Sequence, residues 1–431
     1  MSRSRSPRFL PVFAVLPLLI LSGTPKGRSV QTAGEKNPVR VVACDAAVPS
    51  RKRGICANEL KPADFPALAR GVTWWYNWHF QPTTGADPSG KVEFLPMAWG
   101  DRPEDLAGLE AYLKTGARPR RVLAINEPNL KDQAFISPET TAKLYRRVKN
   151  VADRYGVPVC GPQMSLGSPT EGSITAYDPV ERKATTYTFM VPFLKAVLAY
   201  TGDTPVPETA FHAYGDIHEL RWALDTMHRE FGRPVWVTEF NHVPDPKAAL
   251  IYLMQSVDLM ERTAYVPGYA WFKERTSDAK WPIALLGERP GTLTPLGEAY
   301  VAMPVHEADL YYRVPGRLQA ERYVAMEGLE ITPTTDTDGF ADMATTVADA
   351  TLDANVQIDR GGRFALDLRT SGAAGTIEVF AGGRRLGYVA NPGGAWNNAR
   401  VLVTLPTGPQ RLRFRFAQKG QAINWIGFTK G

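Results

Sequence analysis

From residue 54 to residue 303, short apolar runs alternate with stretches whose apolar residues recur at helical spacing. The apolar runs, rich in Val, Ile and aromatic residues, predict strands at 54–57, 72–76, 92–97, 122–126, 159–163, 210–214, 235–238 and 268–272. Leu106, Leu109 and Leu113 fall on one face of a helix over 103–114, and Ala249, Leu250, Leu253 and Val257 do so within 246–262. Ser137-Pro138-Glu139-Thr140 offers a cap followed by proline at the first helical position, which opens a helix running towards Tyr155. A last helix is expected near 296–303, after Pro295. Eight strand–helix alternations predict an α/β chain built as a (β/α)₈ TIM barrel rather than an open doubly wound sheet.

The period changes at Leu318. Residues 363–369, 376–380, 400–405 and 411–416 alternate strictly between apolar and polar, with Gly and Asn turns between them. This predicts an all-β antiparallel sandwich, jelly-roll-like, after the barrel. The expected organisation is a leader over 1–34, a barrel domain over 35–305, a linker over 306–317 and a β-sandwich module over 318–431.

Two of the apolar runs end in glutamate: Val122-Leu123-Ala124-Ile125-Asn126-Glu127-Pro128 and Val235-Trp236-Val237-Thr238-Glu239-Phe240-Asn241. The carboxyl ends of barrel strands are where active sites are assembled. Simple alternation puts Glu127 on a face with Leu123 and Ile125, and Glu239 on a face with Val235 and Val237. Placed on strands four and seven, two such carboxyls can approach to about 5–5.5 Å, as double displacement at a glycosidic bond requires. One must then act as an acid while the other attacks as an anion.

Charge and targeting signals narrow the rest. The formal charge is +6, but Arg3, Arg5 and Arg8 supply three of those charges ahead of the apolar segment 9–21. That segment has the length of a signal-peptide core and is short for a membrane span. Export to the extracellular space or periplasm is expected, with an uncleaved anchor as the alternative and 24–38 as a disordered leader. The remaining charge gives no case for nucleic acid. No Gly-x-Gly-x-x-Gly follows the first strand and no Gly-Lys-Ser/Thr loop occurs, so nucleotide binding has no support. Six histidines without a His-Glu-x-x-His pattern give no catalytic metal, and no cofactor is expected for the chemistry. Cys44, Cys56 and Cys160 allow either one disulfide, Cys44 with Cys56, or three buried thiols.

Aromatic residues form the second signal. Trp74, Tyr76 and Trp78 share one strand face and Trp75 takes the other; the first three are candidates for stacking on sugar. Trp99 and Trp271, at the ends of strands three and eight, are candidates for the cleft wall.

Asn126-Glu127-Pro128 resembles the Asn-Glu-Pro signature of clan A glycoside hydrolases, and Trp236 to Asn241 resembles their strand-seven nucleophile segment. Lys52-Arg53-Gly54-Ile55, Trp74-Trp75-Tyr76-Asn77-Trp78, Phe94 to Gly100, Phe211-His212-Ala213-Tyr214 and Tyr269-Ala270-Trp271-Phe272 are similar to segments of glycoside hydrolase family 128. The resemblance implies a secreted, retaining endo-β-1,3-glucanase acting on β-1,3-glucan polysaccharide or oligosaccharides. Glu127 would be acid/base, Glu239 nucleophile and Asn126 the partner of the sugar 2-hydroxyl, with His212 and Tyr214 beside the nucleophile. Another clan A activity on a different β-linked polymer, or a non-catalytic glucan-binding wall protein, are the alternatives. A monomer is expected, with no membrane partner beyond the signal segment.

Residues 318–431 resemble a family 6 carbohydrate-binding module through Gln319 to Tyr323, Gly362-Arg363-Phe364, Gly393 to Trp396 and Asn424 to Phe428. The family's Gly-Asp-Trp-x-x-Tyr segment is replaced here by Ala350 to Asn355, which leaves Trp396 as the candidate sugar platform; weak binding, binding on another face or a purely structural module are the alternatives. Glu321 and Asn424 match positions of the family's structural calcium site, so the resemblance implies Ca²⁺ there.

Overall fold

The computed structural model describes residues 39–169, 172–242, 245–276 and 283–431; the leader expected over 1–34 lies outside them. Eight parallel strands pair in a closed ring. Arg53–Cys56 pairs with Trp74–Tyr76, which pairs with Glu93–Phe94 of a third strand that resumes at Met97–Ala98. Met97–Ala98 pairs with Val122–Ala124, and that strand with Val159–Cys160. The fifth strand resumes at Gln163–Ser165 and pairs with Thr209–Ala213, then Val235–Phe240, then Tyr269–Phe272, which returns to Arg53–Cys56.

Seven α-helices accompany the ring among the described residues. Asp64–Leu68, Pro103–Lys114, Pro138–Asp153, Met190–Thr201, Ile217–Phe231, Pro246–Arg262 and Pro295–Ala302 follow strands one and three to eight. The connection from Tyr76 to Glu93 carries none. Pro82, Gly85, Pro88 and Gly90 break any helical period there. Helix starts follow their sequence signals: Ser137 Oγ accepts from the Thr140 amide, and the Asp216, Asp245 and Thr294 side chains cap three others.

The ring interior is packed by Trp74, Tyr76, Met97, Leu123, Ala210 and Trp236, whereas Trp75, Phe94, Phe211, Val235, Val237 and Trp271 face the helices. Below this core Arg53 is wholly buried. It donates to the Tyr300, Met303 and Pro304 carbonyls and to Glu261, tying the ring to the end of the last helix. All three cysteines are free and buried, so the disulfide reading gives way to three thiols.

Beyond Met303 the expected linker is ordered. Leu310–Val314 and Gly316–Gln319 enter two different sheets. One sheet runs Arg40–Ala43, Leu310–Val314, Ala350–Ile358, Gly408–Phe416, Gly375–Ala381, Arg384–Asn391. The other runs Leu329–Pro333, Ala341–Thr345, Gln421–Lys430, Gly362–Gly372, Gly394–Leu405. Arg40–Ala43, expected in the barrel domain, pairs parallel with Leu310–Val314 and so belongs to the carboxy-terminal sheet. No local pattern could reveal a partner so distant along the chain.

Asp258 sits where the two parts meet. Its Oδ1 accepts from Tyr323 Oη at 2.5 Å and lies 3.2 Å from His306 Nε2, while His306 stacks on Tyr323 with ring centres 4.0 Å apart. Burial opposes ionisation of Asp258, but His306, Tyr323 and Arg262 outweigh it and hold the carboxyl below its ordinary range. A depressed carboxyl contributes stability above its unfolded pKa of about 4, and that contribution is lost as pH falls through the folded value. Asp258→Asn should therefore lower stability at neutral pH by about 3–5 kcal/mol. It should also flatten the acid side of a melting-temperature profile. An unchanged profile would mean that the contact carries no stability.

Candidate active site

The two glutamates reach one cleft through departures from regular strand geometry. In the fourth strand Leu123 faces the interior, but Ala124 and Ile125 both pack outward against Leu109, Leu113 and Tyr145. Ile125 (φ 60°) and Glu127 (φ 44°) adopt the left-handed region, which costs a β-branched or long side chain about 1–3 kcal/mol each. Neighbouring strands pin this kink from both sides: Ile125 N donates to Ala98 O, Asn126 N to Trp99 O and Glu127 N to Gln163 O, each at 2.8 Å. The expected common face of Glu127 with Ile125 is thus corrected.

The seventh strand carries one extra residue. Phe211 pairs with Val237 but His212 pairs with Glu239, so Thr238 is a bulge. Val235 and Val237 pack outward, Thr238 Oγ1 bonds Gln163 Oε1 across the interior at 2.6 Å, and Glu239 turns into the cleft. Alternation alone would have sent Glu239 into the helix layer with Val237. The bulge, not the parity read from the sequence, delivers it.

His212 joins the two acids. Its Nδ1 lies 2.9 Å from Glu127 Oε1 and 3.5 Å from Glu239 Oε2. Those two oxygens are therefore no further apart than the two distances laid end to end, so both carboxylates face one site. Burial disfavours a charged imidazole, but Glu239, Glu127 and the hydrogen bond to Glu127 prevail and raise its pKa above the ordinary value. Nε2 is buried and has no partner.

Three donors converge on Glu239: Tyr76 Oη at 2.9 Å and Trp78 Nε1 at 2.7 Å reach Oε1, and Tyr214 Oη reaches Oε2. Burial first, then Cys56 and Glu239 at Tyr76 and Glu239 at Tyr214, keeps both phenols well above their usual pKa, so they stay protonated as donors. Trp78 gains its orientation from a left-handed backbone, φ 59°.

The cleft encloses about 430 Å³ between Trp78, Trp99, Tyr214 and Phe272, with Asn58, Asn126, Gln133, Ser165 and Lys273 as polar lining. Asn126 Nδ2 donates to Gln133 Oε1 and its Oδ1 is left without a partner. Asn129 fastens strand ends four and five by exchanging two hydrogen bonds with Ser165. Trp99 carries the Arg102 guanidinium 4.0 Å from its ring centre.

Of the expected residues, Glu127, Glu239, Asn126, His212, Tyr214, Trp78 and Trp99 come together here. Tyr76 is fully buried and serves as a donor to Glu239 rather than a stacking surface. Trp74 lies deeper in the ring and donates to Lys52 O, and Trp271 faces the helices against Phe240 and Tyr300; neither reaches the cleft. Trp396 is on the Gly394–Leu405 strand, its Nε1 bonded to Thr335. Gln133, Ser165 and Lys273 were not foreseen: Gln133 and Lys273 lie outside the strands, and Ser165 closes the resumed fifth strand beyond the apolar run that predicted it.

A second cluster of interest lies in the carboxy-terminal sheets. Gln319 Oε1, Glu321 Oε2 and Asn424 Oδ1 are buried oxygens without partners. A side chain at Gly339 (φ 87°) would come within 2.9 Å of Asn424 Oδ1 and 3.3 Å of Gln319 Oε1. Burial pushes the Glu321 carboxyl up to about 8.

Two glutamates across one cleft at the carboxyl ends of parallel strands are the working parts of a glycoside hydrolase. A family profile described as glycosyl hydrolase catalytic core matches residues 54–300. The chain is 33% identical to a family 128 (subgroup II) endo-β-1,3-glucanase from Pseudomonas viridiflava, with a TM-score of 0.50 over 60% of this chain and 100% of that one. It is 27% identical to a subgroup II endo-β-1,3-glucanase from Sorangium cellulosum, with a TM-score of 0.51 over 59% and 100% of the two chains. No curated protein matches. The chain belongs to the glycosyl hydrolase catalytic core family, its ring domain falling in glycoside hydrolase family 128.

The electrostatics of the site can be read directly. In an NMR titration, the His212 midpoint should fall when either Glu127 or Glu239 is replaced by Gln. A midpoint unmoved by both substitutions would contradict the bridging position.

Proposed function

We propose that this protein is a secreted, retaining endo-β-1,3-glucanase whose (β/α)₈ barrel hydrolyses β-1,3-glucan by double displacement. The observation that carries the reading is His212 lying within reach of both Glu127 and Glu239. Glu239, oriented by Tyr76, Trp78 and Tyr214, attacks the anomeric carbon, while Glu127 passes its proton to the departing glycosidic oxygen. In the second half, Glu127 takes a proton from water, which attacks the same carbon and frees Glu239. Asn126, with an unpaired Oδ1 in the cleft, suits the sugar 2-hydroxyl. Trp99, Trp78 and Phe272 offer apolar walls for pyranose faces. The β-1,3 linkage is carried over from the names of the two relatives; export rests on the arginine-then-apolar pattern of the leader.

The carboxy-terminal sheets fit a sandwich with carbohydrate-binding ancestry, Trp396 being its sugar platform. Gln319, Glu321 and Asn424 fit calcium, a hard cation that takes carboxylate and amide oxygens. It would supply charge neutralisation and cross-link the strands there, remote from the chemistry.

Glu127→Gln should cut turnover on laminarin by about 10²–10⁴, and Glu239→Gln by at least as much, with the melting curve preserved. Near-normal release of reducing ends by either folded variant would overturn the assignment. Calcium at a hundredfold excess over its Kd should stabilise the protein by about 2.7 kcal/mol, and a chelator should remove that gain. Melting that ignores both, in wild type and in Glu321→Gln alike, would rule the ion out.

A further inference from the structure

The outer face of the sheet containing Arg40–Ala43 holds a groove of about 540 Å³, larger than the catalytic cleft and made by other elements. Its floor is the Gly408–Phe416 strand. Leu412, Phe414 and Phe416 point into the core, so Arg411, Arg413 and Arg415 share the outer face at a repeat of about 6.8 Å. Their side chains are about half exposed, at 50%, 55% and 47%.

These arginines are aligned by two carboxylates. Asp353, all but buried, accepts from Nε and Nη2 of both Arg411 and Arg413. Glu378 accepts from Nε and Nη2 of Arg415 and from Arg385 Nη1. Four guanidinium groups thus face these two carboxylates, with the exposed Glu327 beside Thr351 adding a third acid near Arg413, and the balance is positive. Each of Arg411, Arg413 and Arg415 keeps its Nη1 edge free of any hydrogen bond among the described residues. Phe380 lies beside Arg415, 5.8 Å from ring centre to Cζ. Gly382 and Gly383, both at positive φ, form a two-residue turn that keeps the groove end low.

We propose that this groove binds an acidic polysaccharide, a chain carrying uronate carboxylates as well as hydroxyls. Guanidinium forks match carboxylates in plane and in charge. Glu378, set between Arg415 and Arg385, would accept from the hydroxyls of a uronate chain; the backbone of duplex DNA offers no hydroxyl donor, which disfavours nucleic acid. Phe380 offers a surface for a pyranose face. The groove lies on the opposite sheet from Trp396 and its occupancy does not depend on the chemistry of the cleft.

The test is affinity electrophoresis of the full chain through gels containing polygalacturonate, with laminarin and duplex DNA as comparison polymers. Arg411→Gln leaves Asp353 paired with Arg413, and Arg415→Gln leaves Glu378 paired with Arg385, so both variants keep a buried or half-buried acid partnered; melting curves verify this. Polygalacturonate should retard the wild type, each substitution should weaken binding about tenfold, and added salt should weaken it further. Laminarin hydrolysis should be unaffected. No retardation by polygalacturonate, equal retardation by laminarin or by DNA, or unchanged retardation of the double variant would each overturn the proposal.

Discussion

One imidazole within reach of two carboxylates is the interaction on which the rest of this molecule converges. Glu127 and Glu239 are far apart along the chain, and like charges in a buried site repel. His212 lies close to both, and their combined field raises its pKa despite full burial. The backbone is distorted to permit this. A left-handed kink at Ile125 and Glu127 and an extra residue at Thr238 turn side chains inward that regular strands would turn out. Strain of that kind persists where surrounding hydrogen bonds over-determine it, as the Ala98, Trp99 and Gln163 carbonyls do here.

Around that centre the ring divides its aromatic residues by task. Tyr76, Trp78 and Tyr214 spend their polar atoms on Glu239, so its orientation is set before any substrate arrives. Trp99 and Phe272 form walls, and Trp74, Trp75 and Trp271 are packed away from the cleft. The ring is also bound to the second part of the chain. Asp258 on its Pro246–Arg262 helix holds Tyr323, and the first described strand, Arg40–Ala43, is a member of the carboxy-terminal sheet. The two sheets are thus built into the same compact unit as the ring rather than tethered to it.

Much of this was legible in the sequence. Apolar runs of three to six residues located all eight ring strands, because strands buried on both faces must be apolar throughout. Helical periodicity and caps placed the Pro103–Lys114, Pro138–Asp153 and Pro246–Arg262 helices. Glutamates at strand ends, next to Asn126 and Asn241, marked the site. What failed was parity. A period of two assumes regular strands, and a bulge or a left-handed residue shifts every side chain that follows. Trp271 was misplaced for a related reason: its position at a strand end says nothing about which face it takes. The pairing of Arg40–Ala43 with Leu310–Val314 was invisible because nothing local encodes a partner that remote.

Two carboxylates this close must divide the work of acid and nucleophile between them. Proton NMR of the first sugar released from a reduced laminari-oligosaccharide reads this directly, before mutarotation blurs the anomers. Attack by Glu239, followed by attack of water from the face that the leaving group vacated, predicts that the β-anomer appears first. The α-anomer appearing first would mean a single displacement by water, and Glu239 could not be the nucleophile.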